Sequence, residues 1–348
     1  MIDIERRIKA FSELGKTLVS FEERSRNENH PLENLIRDGV HYNGWFTEEN
    51  VRNAIVAIGE SLSEKKIEKW LEPYTVILNN STEPKRAGVV MAGNVPAVGF
   101  HDFLCVLMSG NGFLGKLSSD DNKLMPAIAD ILTGIEPAFK DYIEFTGEKL
   151  QNFDAIIATG SNNTSRYFDY YFGKYPNIIR KNRNGVAVLT GKEAISELKK
   201  LGQDIFQYFG LGCRSVSKLF VPNGYDFDRF FDALSDYKDI TRHHKYNNNY
   251  DYNKSIYLLN KIEHFDNGFL IIKEDTGYAS PPSVLYFEYY DNLTELAGRL
   301  KTEREFIQCI VCKPEIFPDT VTFGNAQKPE LWDYADGVDT MAFLTGLK

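Results

Sequence analysis

Cys213 is the residue in this chain best suited to nucleophilic chemistry. It stands between Gly212 and Arg214 in the stretch GQDIFQYFGLGCRSVSKLFVP, residues 202–222. A helical run ends at Gly210, and Val216-Ser-Lys-Leu-Phe-Val221 reads as a strand stopped by Pro222. A glycine-flanked turn lets other backbone or a substrate come close. Arg214 beside the thiol favours the thiolate, which is the reactive form. The same residues permit a plainer reading, with Gly210 as a helix cap, Gly212 as a loop residue and Cys213 as a small buried hydrophobe. Three other turns follow strands: Gly93-Asn94-Val95-Pro96, Gly115-Lys116 and Gly160-Ser161. Asn94 and Ser161 can equally be helix caps, and Lys116 a solvated strand end. None of the four turns matches G-x-G-x-x-G or a P-loop, so the first-rank dinucleotide and ATP signatures are missing.

Such turns need elements to hold them. Ile4, Ile8, Phe11 and Leu14 fall near one face of an amphipathic helix over 3–16. Residues 22–44 read as loop-rich; helices then start at Thr47 and near Ser63. From Lys85 strand and helix alternate, with strands at 88–92, 113–117, 154–159 and 184–189 and a helix over 192–208 that leads to the cysteine. After Cys213 come strands at 216–221, 268–272, 284–288 and 307–312. The polar stretch HHKYNNNYDYNK reads as a connection into a helix over 251–260. This β-α-β alternation predicts parallel sheets covered by helices, with a ligand at the carboxyl ends of the strands.

Composition narrows the classes. The chain has 348 residues, 43% hydrophobic and 26% charged, which is ordinary globular composition with material for a sizeable core. Its net charge of -9 argues against a nucleic-acid partner. No apolar run reaches about 18 residues, so no membrane span is expected. The charged start MIDIERRIKAFSELGK lacks the apolar core of a signal peptide. Cys309 and Cys312 form a C-x-x-C inside the apolar run FIQCIVC; with no second pair and opposite-facing side chains they read as core, and no metal is expected. The setting these features predict is a reducing cytoplasm.

Taken together, the turns have a recognisable order. AGNVPAVGFHDFLCVLMSGNGFLGKLSSDD, IATGSNNTSRYFDYYF with KNRNGVAVLTG, YFGLGCRSVSKLFVP, and ASPPSVLYFEYY with QKPELWDYADGVDTM resemble the aldehyde dehydrogenase superfamily. Within it they resemble the fatty acyl-CoA and acyl-protein thioester reductases, the branch of the reductase subunit of the bacterial bioluminescence fatty-acid reductase complex. The resemblance runs from about residue 85 to the end of the sequence. It implies an α/β fold: a Rossmann-type cofactor-binding domain with an N-terminal helical segment over 1–190, a second α/β catalytic domain over 191–323, and a tail over 324–348 that packs back or oligomerises.

The resemblance also implies roles. Cys213 matches the catalytic thiol, and Asn94 the asparagine whose amide joins the Cys213 N–H in an oxyanion hole. Lys116 matches the lysine that reaches the adenosine ribose, Gly160 and Ser161 the Gly-Ser turn against the cofactor, and Glu288 the glutamate that binds the nicotinamide ribose. Hydrolytic members carry a water-activating glutamate before the thiol; the corresponding run here, Arg180-Lys-Asn-Arg-Asn-Gly-Val-Ala-Val-Leu189, has no acid. An acyl-cysteine should then persist for hydride rather than water. The implied activity is NADPH-dependent reduction of a long-chain fatty acyl thioester to the aldehyde, without metal. The implied acyl donors are fatty acyl-CoA, an acyl-carrier protein or an acyl-protein synthetase-type partner, and the implied assembly is a homo-oligomer. Two alternatives stay open: a cysteine-dependent acyltransferase or thioesterase without hydride transfer, and a non-catalytic acyl-binding scaffold. His101, near Asn94, reads as a structural histidine.

Overall fold

A computed structural model describes residues 2–23, 29–79, 83–160 and 162–347. Six helices come first: α1 (Ile4–Val19), α2 (Pro31–Arg37), α3 (Gly39–Tyr42), α4 (Glu48–Ser61), α5 (Glu64–Leu71) and α6 (Thr75–Leu78). There follow β1 (Arg86–Val90), α7 (Phe100–Met108), β2 (Gly112–Lys116), α8 (Leu124–Ile135), β3 (Ile143–Thr146), β4 (Ala155–Thr159), α9 (Asn162–Phe172), β5 (Asn177–Arg180) and β6 (Asn184–Val188). The chain continues through α10 (Ile195–Phe206), β7 (Val216–Pro222), α11 (Phe227–Ala233), α12 (His244–Leu259), β8 (Phe265–Asp266), β9 (Ile271–Glu274), β10 (Val284–Tyr290), α13 (Leu293–Thr302), β11 (Ile307–Val311) and α14 (Thr340–Thr345).

Two compact units result: Met1–Lys181 with Glu330–Lys348, and Asn182–Pro329. In the first, a parallel sheet has the order β3-β2-β1-β4-β5. Ala155-Ile-Ile-Ala158 is buried throughout, as a strand covered on both faces must be. The strand order reverses between β1 and β4, which makes their carboxyl ends the topological switch point of this unit. The helical start packs here too. Asp3 caps α1 by accepting from the Arg6 N–H at 2.9 Å, and Phe11, Leu14 and Leu18 line the buried face. Thr47 caps α4 as its position in the sequence predicts, accepting from the Asn50 N–H at 3.2 Å.

The second unit has a six-stranded sheet, β11-β6-β7-β10-β9-β8, parallel except for the β8–β9 pair. The strand expected at 184–189 belongs to this sheet, between β11 and β7, so the units divide after Lys181 and not after residue 190. The expected catalytic stretch 191–323 likewise extends to Pro329, and residues from Glu330 on pack into the first unit. There the Trp70 indole N–H donates to the Tyr334 hydroxyl at 2.7 Å, and the Asn111 amide to the Leu344 carbonyl at 3.1 Å. Two edge strands, β3 and β5, were not expected; each has four residues, too few to show a period.

One buried ion pair ties this first unit together. Arg180, at the end of β5, donates to both carboxylate oxygens of Asp102 on α7, at 2.6 and 2.8 Å, and to the Thr340 hydroxyl at 3.0 Å. Their relative exposures are 5% and 7%, so removing one partner strands a buried charge. Asp102→Leu is therefore expected to lower stability in denaturant unfolding by about 3–5 kcal/mol, with Arg180→Met/Asp102→Leu regaining most of it. A single-variant loss below about 1 kcal/mol would contradict this reading.

Candidate active site

The candidate residues fall in both units. In the first, three turns lie at the carboxyl edge of the sheet. Asn94 is exposed in the turn after β1. It does not cap α7, whose N-cap is Gly99. The buried Asp121 carboxylate holds this turn, accepting from the Ala97 N–H at 2.8 Å and the Leu124 N–H at 3.3 Å. Ala97 needs that help, because its φ is +51°. Burial raises the Asp121 pKa, against its N–H donors, which lower it. Asn43 adds its amide to the carbonyls of Gly93 and Asp120 at 3.3 and 3.2 Å. Gly93 is required: a Cβ there would meet Ser118 Oγ at 2.5 Å.

Lys116 ends β2, half-exposed, beside Val90 on β1. Gly160 follows β4, where a Cβ would come within 2.9 Å of Phe168 and 3.1 Å of Thr164, so the glycine lets α9 close onto the strand end. Ser161 lies outside the described residues. Asn94 and Gly160 thus follow β1 and β4, and Lys116 ends β2, next to the switch point, which is where a sheet of this order receives a dinucleotide. His101 is half-buried, its Nε2 2.9 Å from the Leu331 carbonyl, in the structural role expected of it.

The second unit carries the thiol. Cys213 is exposed, whereas Cys105, Cys309 and Cys312 are buried. It lies on the turn that enters the amino end of β7, so the general expectation of a ligand at carboxyl ends fits the first sheet and not this residue. The turn is tightly made. Before it, Tyr208, Phe209 and Gly210 have φ of +52°, +57° and +75°. Within it, Ser215 Oγ accepts from the Gly212 N–H at 3.2 Å, and the Ser215 N–H donates to the Gly212 carbonyl at 3.0 Å. Beneath it, Cys309 Sγ lies 3.6 Å from the Arg214 carbonyl, and burial pushes that thiol up to about 11. A small recess of mixed lining, with Phe206, Phe209 and Leu270 on one hand and Ser217, Ser280 and Ser283 on the other, adjoins the turn at Gly210.

Two further contacts fasten the turn to a distant stretch. Arg214 Nε donates to the Ala326 carbonyl at 2.5 Å, and the Gln327 amide to Ser215 Oγ at 3.0 Å. That stretch is held by Asp204, at the end of α10, which accepts from the Gly324 and Ala326 N–H groups at 2.7 and 2.8 Å. Asp204 was not among the residues expected to matter. Its signal was an acid on the buried face of α10 among Leu198, Leu201 and Ile205.

Glu288, which the resemblance matches to a ribose-binding glutamate, has partners of its own. Its carboxylate is taken up inside the second unit by Arg299, at 2.9 and 3.0 Å, and by Lys218. Lys218 is fully buried and also donates to the carbonyls of Asp275, Thr276 and Gly277 at 2.9–3.1 Å. Burial lowers the Lys218 pKa; burial would likewise raise that of Glu288, but the hydrogen bonds from Arg299 and Lys218 outweigh it and hold it low. Glu288 is the counter-ion of a buried lysine that ties down the 275–277 loop, and its oxygens are committed to that task. The nearest acid after the Arg180–Leu189 run, Glu193, is also occupied: it accepts from the N–H groups of Thr190 and Gly191 at 2.7 and 3.0 Å.

The family model for acyl-CoA reductase (LuxC) matches residues 84–315. No curated protein matches the sequence. Among solved structures, aldehyde dehydrogenase 21 from Physcomitrella patens, in complex with the reaction product succinate, is 11% identical, with a TM-score of 0.67 over 99% of this chain and 84% of that one. An acetylating aldehyde dehydrogenase from Geobacillus thermoglucosidasius is 12% identical, with a TM-score of 0.61 over 95% and 86%. An NADP dependent enzyme from E. coli is 10% identical, with a TM-score of 0.63 over 86% and 71%. At these identities the likeness is one of fold, the aldehyde dehydrogenase fold. Among the described residues no helix is long and apolar enough to cross a membrane.

Two measurements check the site. Glu288→Gln is expected to lower stability while leaving the KM for a nicotinamide cofactor within about twofold; a raised KM at full stability would restore the ribose contact. The second concerns Asp204, whose carboxyl burial pushes up to about 6, against its two N–H donors, which lower it. Between about pH 4 and 6 the folded chain holds a proton that the unfolded chain has released, so stability falls as pH rises through that window. At 1.36 kcal/mol per pH unit the loss is roughly 3 kcal/mol. Relative to wild type, Asp204→Asn is thus expected to gain up to about 3 kcal/mol from pH 4 to pH 7 in paired unfolding curves. A constant difference would mean that Asp204 titrates as an ordinary carboxylate.

Proposed function

Because the chain belongs to the acyl-CoA reductase (LuxC) family, we propose that it reduces a long-chain fatty acyl thioester to the aldehyde through an acyl-Cys213 intermediate, with NADPH as hydride donor. Acyl reduction at the aldehyde level is the chemistry of that family. The observation that carries the finer reading is the exposed Cys213 on its braced turn, set against three buried cysteines. In this reading the Cys213 thiolate adds to the thioester carbonyl, and the carrier thiolate leaves as the acyl–sulfur bond to Cys213 forms. Asn94 supplies a side-chain N–H to the oxyanion. The nicotinamide supplies a hydride to the acyl carbon, after which the Cys213 sulfur leaves as thiolate and the aldehyde is released.

Three features support the cofactor. Asn94 and Gly160 follow β1 and β4, and Lys116 ends β2, next to the switch point of the first sheet. Gly160 lets α9 close onto the end of β4, which brings the amino end of that helix to the switch point, a position that suits a phosphate. Lys116 offers a cation for the 2′-phosphate; of the two acids that follow it, Asp121 is buried under the Ala97 turn, while Asp120 is exposed and opposes a phosphate. Glu288 is left out of the cofactor set. The occupied Glu193 and the acid-free run before it favour hydride over water as the acceptor of the acyl group.

The test is turnover of tetradecanoyl-CoA with NADPH, following nicotinamide absorbance and aldehyde together. Wild type is expected to consume one NADPH per aldehyde formed, Cys213→Ala to lose at least about 10³-fold, and Asn94→Ala about 10²–10³-fold in kcat. Release of free fatty acid without nicotinamide consumption would favour a thioesterase. No turnover with any acyl-CoA or acyl-carrier thioester would overturn the proposal.

A further inference from the structure

The turn that bears Cys213 does not stand alone. Of its four residues, Gly212 and Ser215 are joined by Ser215 Oγ, Ser215 is also engaged by Gln327, and Arg214 is engaged by the Ala326 carbonyl. Cys213 stands between Gly212 and Arg214, so whatever places those two places its backbone. The stretch that grips them is not regular secondary structure: Gly324 is left-handed at φ +85°, and residues 324–327 lie in turns. What fixes it is Asp204, 1% exposed, with one carboxylate oxygen on the Gly324 N–H and the other on the Ala326 N–H. A carboxylate suits this task because it only accepts; an asparagine would turn a donor toward one of the two N–H groups. The contact chain therefore runs from Asp204 through Ala326 to Arg214, the immediate neighbour of the thiol.

We propose that Asp204 is a positioning residue for the acyl-transfer step, acting on the Cys213 thiol through the 324–327 stretch and Arg214. This rests on the reading of Cys213 as the nucleophile. Misplacing a nucleophile by about 1 Å lowers its rate on the order of 10²-fold while leaving substrate binding largely intact. A residue that only stabilised the fold would lower the amount of folded enzyme and leave the rate of the folded fraction unchanged.

The experiment compares wild type with Asp204→Asn, Arg214→Lys and the double variant, in the full chain. Arg214→Lys keeps the charge beside the thiol and loses the fixed Nε–H. Steady-state kinetics with tetradecanoyl-CoA and NADPH give kcat and KM per folded molecule, with folding read by thermal melting. Iodoacetamide alkylation of Cys213, followed by peptide mass spectrometry from pH 6 to 9, reports the thiol without any turnover. Asp204→Asn is expected to lower kcat about tenfold or more with KM within about threefold, and to change the alkylation profile. Because the two residues act along one chain of contacts, the double variant is expected to be no worse than the poorer single variant. Unchanged kcat and alkylation in folded Asp204→Asn, or fully additive losses, would overturn the proposal. If Asp204→Asn does not fold, Gln327→Leu, which removes the grip on Ser215, carries the same test with the same two readouts. Absence of turnover in wild type would count against the proposed reaction; the alkylation comparison would then still decide whether Asp204 positions the thiol.

Discussion

The turn that bears Cys213 follows three left-handed residues and has to be held in place by its surroundings. Tyr208 and Phe209 both sit at positive φ ahead of Gly210, and for residues with a Cβ that conformation costs roughly 1–2 kcal/mol each. Left alone, the segment would relax and carry Cys213 with it. Packing opposes this on one side, where the Phe209 ring stacks on His243 with 4.1 Å between centroids. On the other side the resistance is polar, through Arg214, Ser215 and the stretch that Asp204 fixes. The buried Lys218 and Glu288 extend the frame, since they hold the 275–277 loop that leads into β10 next to β7.

The first unit solves a similar problem in the same way. The turn after β1 contains a left-handed Ala97, and the buried Asp121 accepts its N–H. In each unit a buried acid thus serves backbone donors close to a residue proposed for chemistry. Burial raises the pKa of both acids, so desolvation outweighs the attraction of the N–H groups. Such groups are poor investments for stability alone, which directs attention to the turns they shape.

Much of this was legible in the sequence. The alternation of apolar strands and helices gave the α/β class, and the apolar runs at 86–90, 155–159 and 216–222 are strands for that reason. The helix over 244–259 was expected only from residue 251, and its polar first half was read as a connection, though Tyr246, Tyr250, Asn253 and Tyr257 recur at helical spacing and are buried. Their polar tips hid the pattern: Tyr246 donates to the Phe269 carbonyl, Tyr250 to Asp266 and Asn253 to the Pro282 carbonyl. Glu288 could not have been placed from its neighbours, because its partners lie 70 residues before it, at Lys218, and 11 after it, at Arg299. The same holds for Asp204, whose partners Gly324 and Ala326 follow 120 and 122 residues later. Local pattern reveals which residues are buried; only the tertiary pairing reveals what a buried charge is for.

The nucleophile is the point on which the chemistry turns. Mass spectrometry of the full chain after exposure to tetradecanoyl-CoA without nicotinamide tests it most directly. One acyl group is expected, located by peptide mapping on Cys213 and absent in Cys213→Ala. An unmodified wild-type chain, or an acyl group carried by another residue, would contradict the assignment.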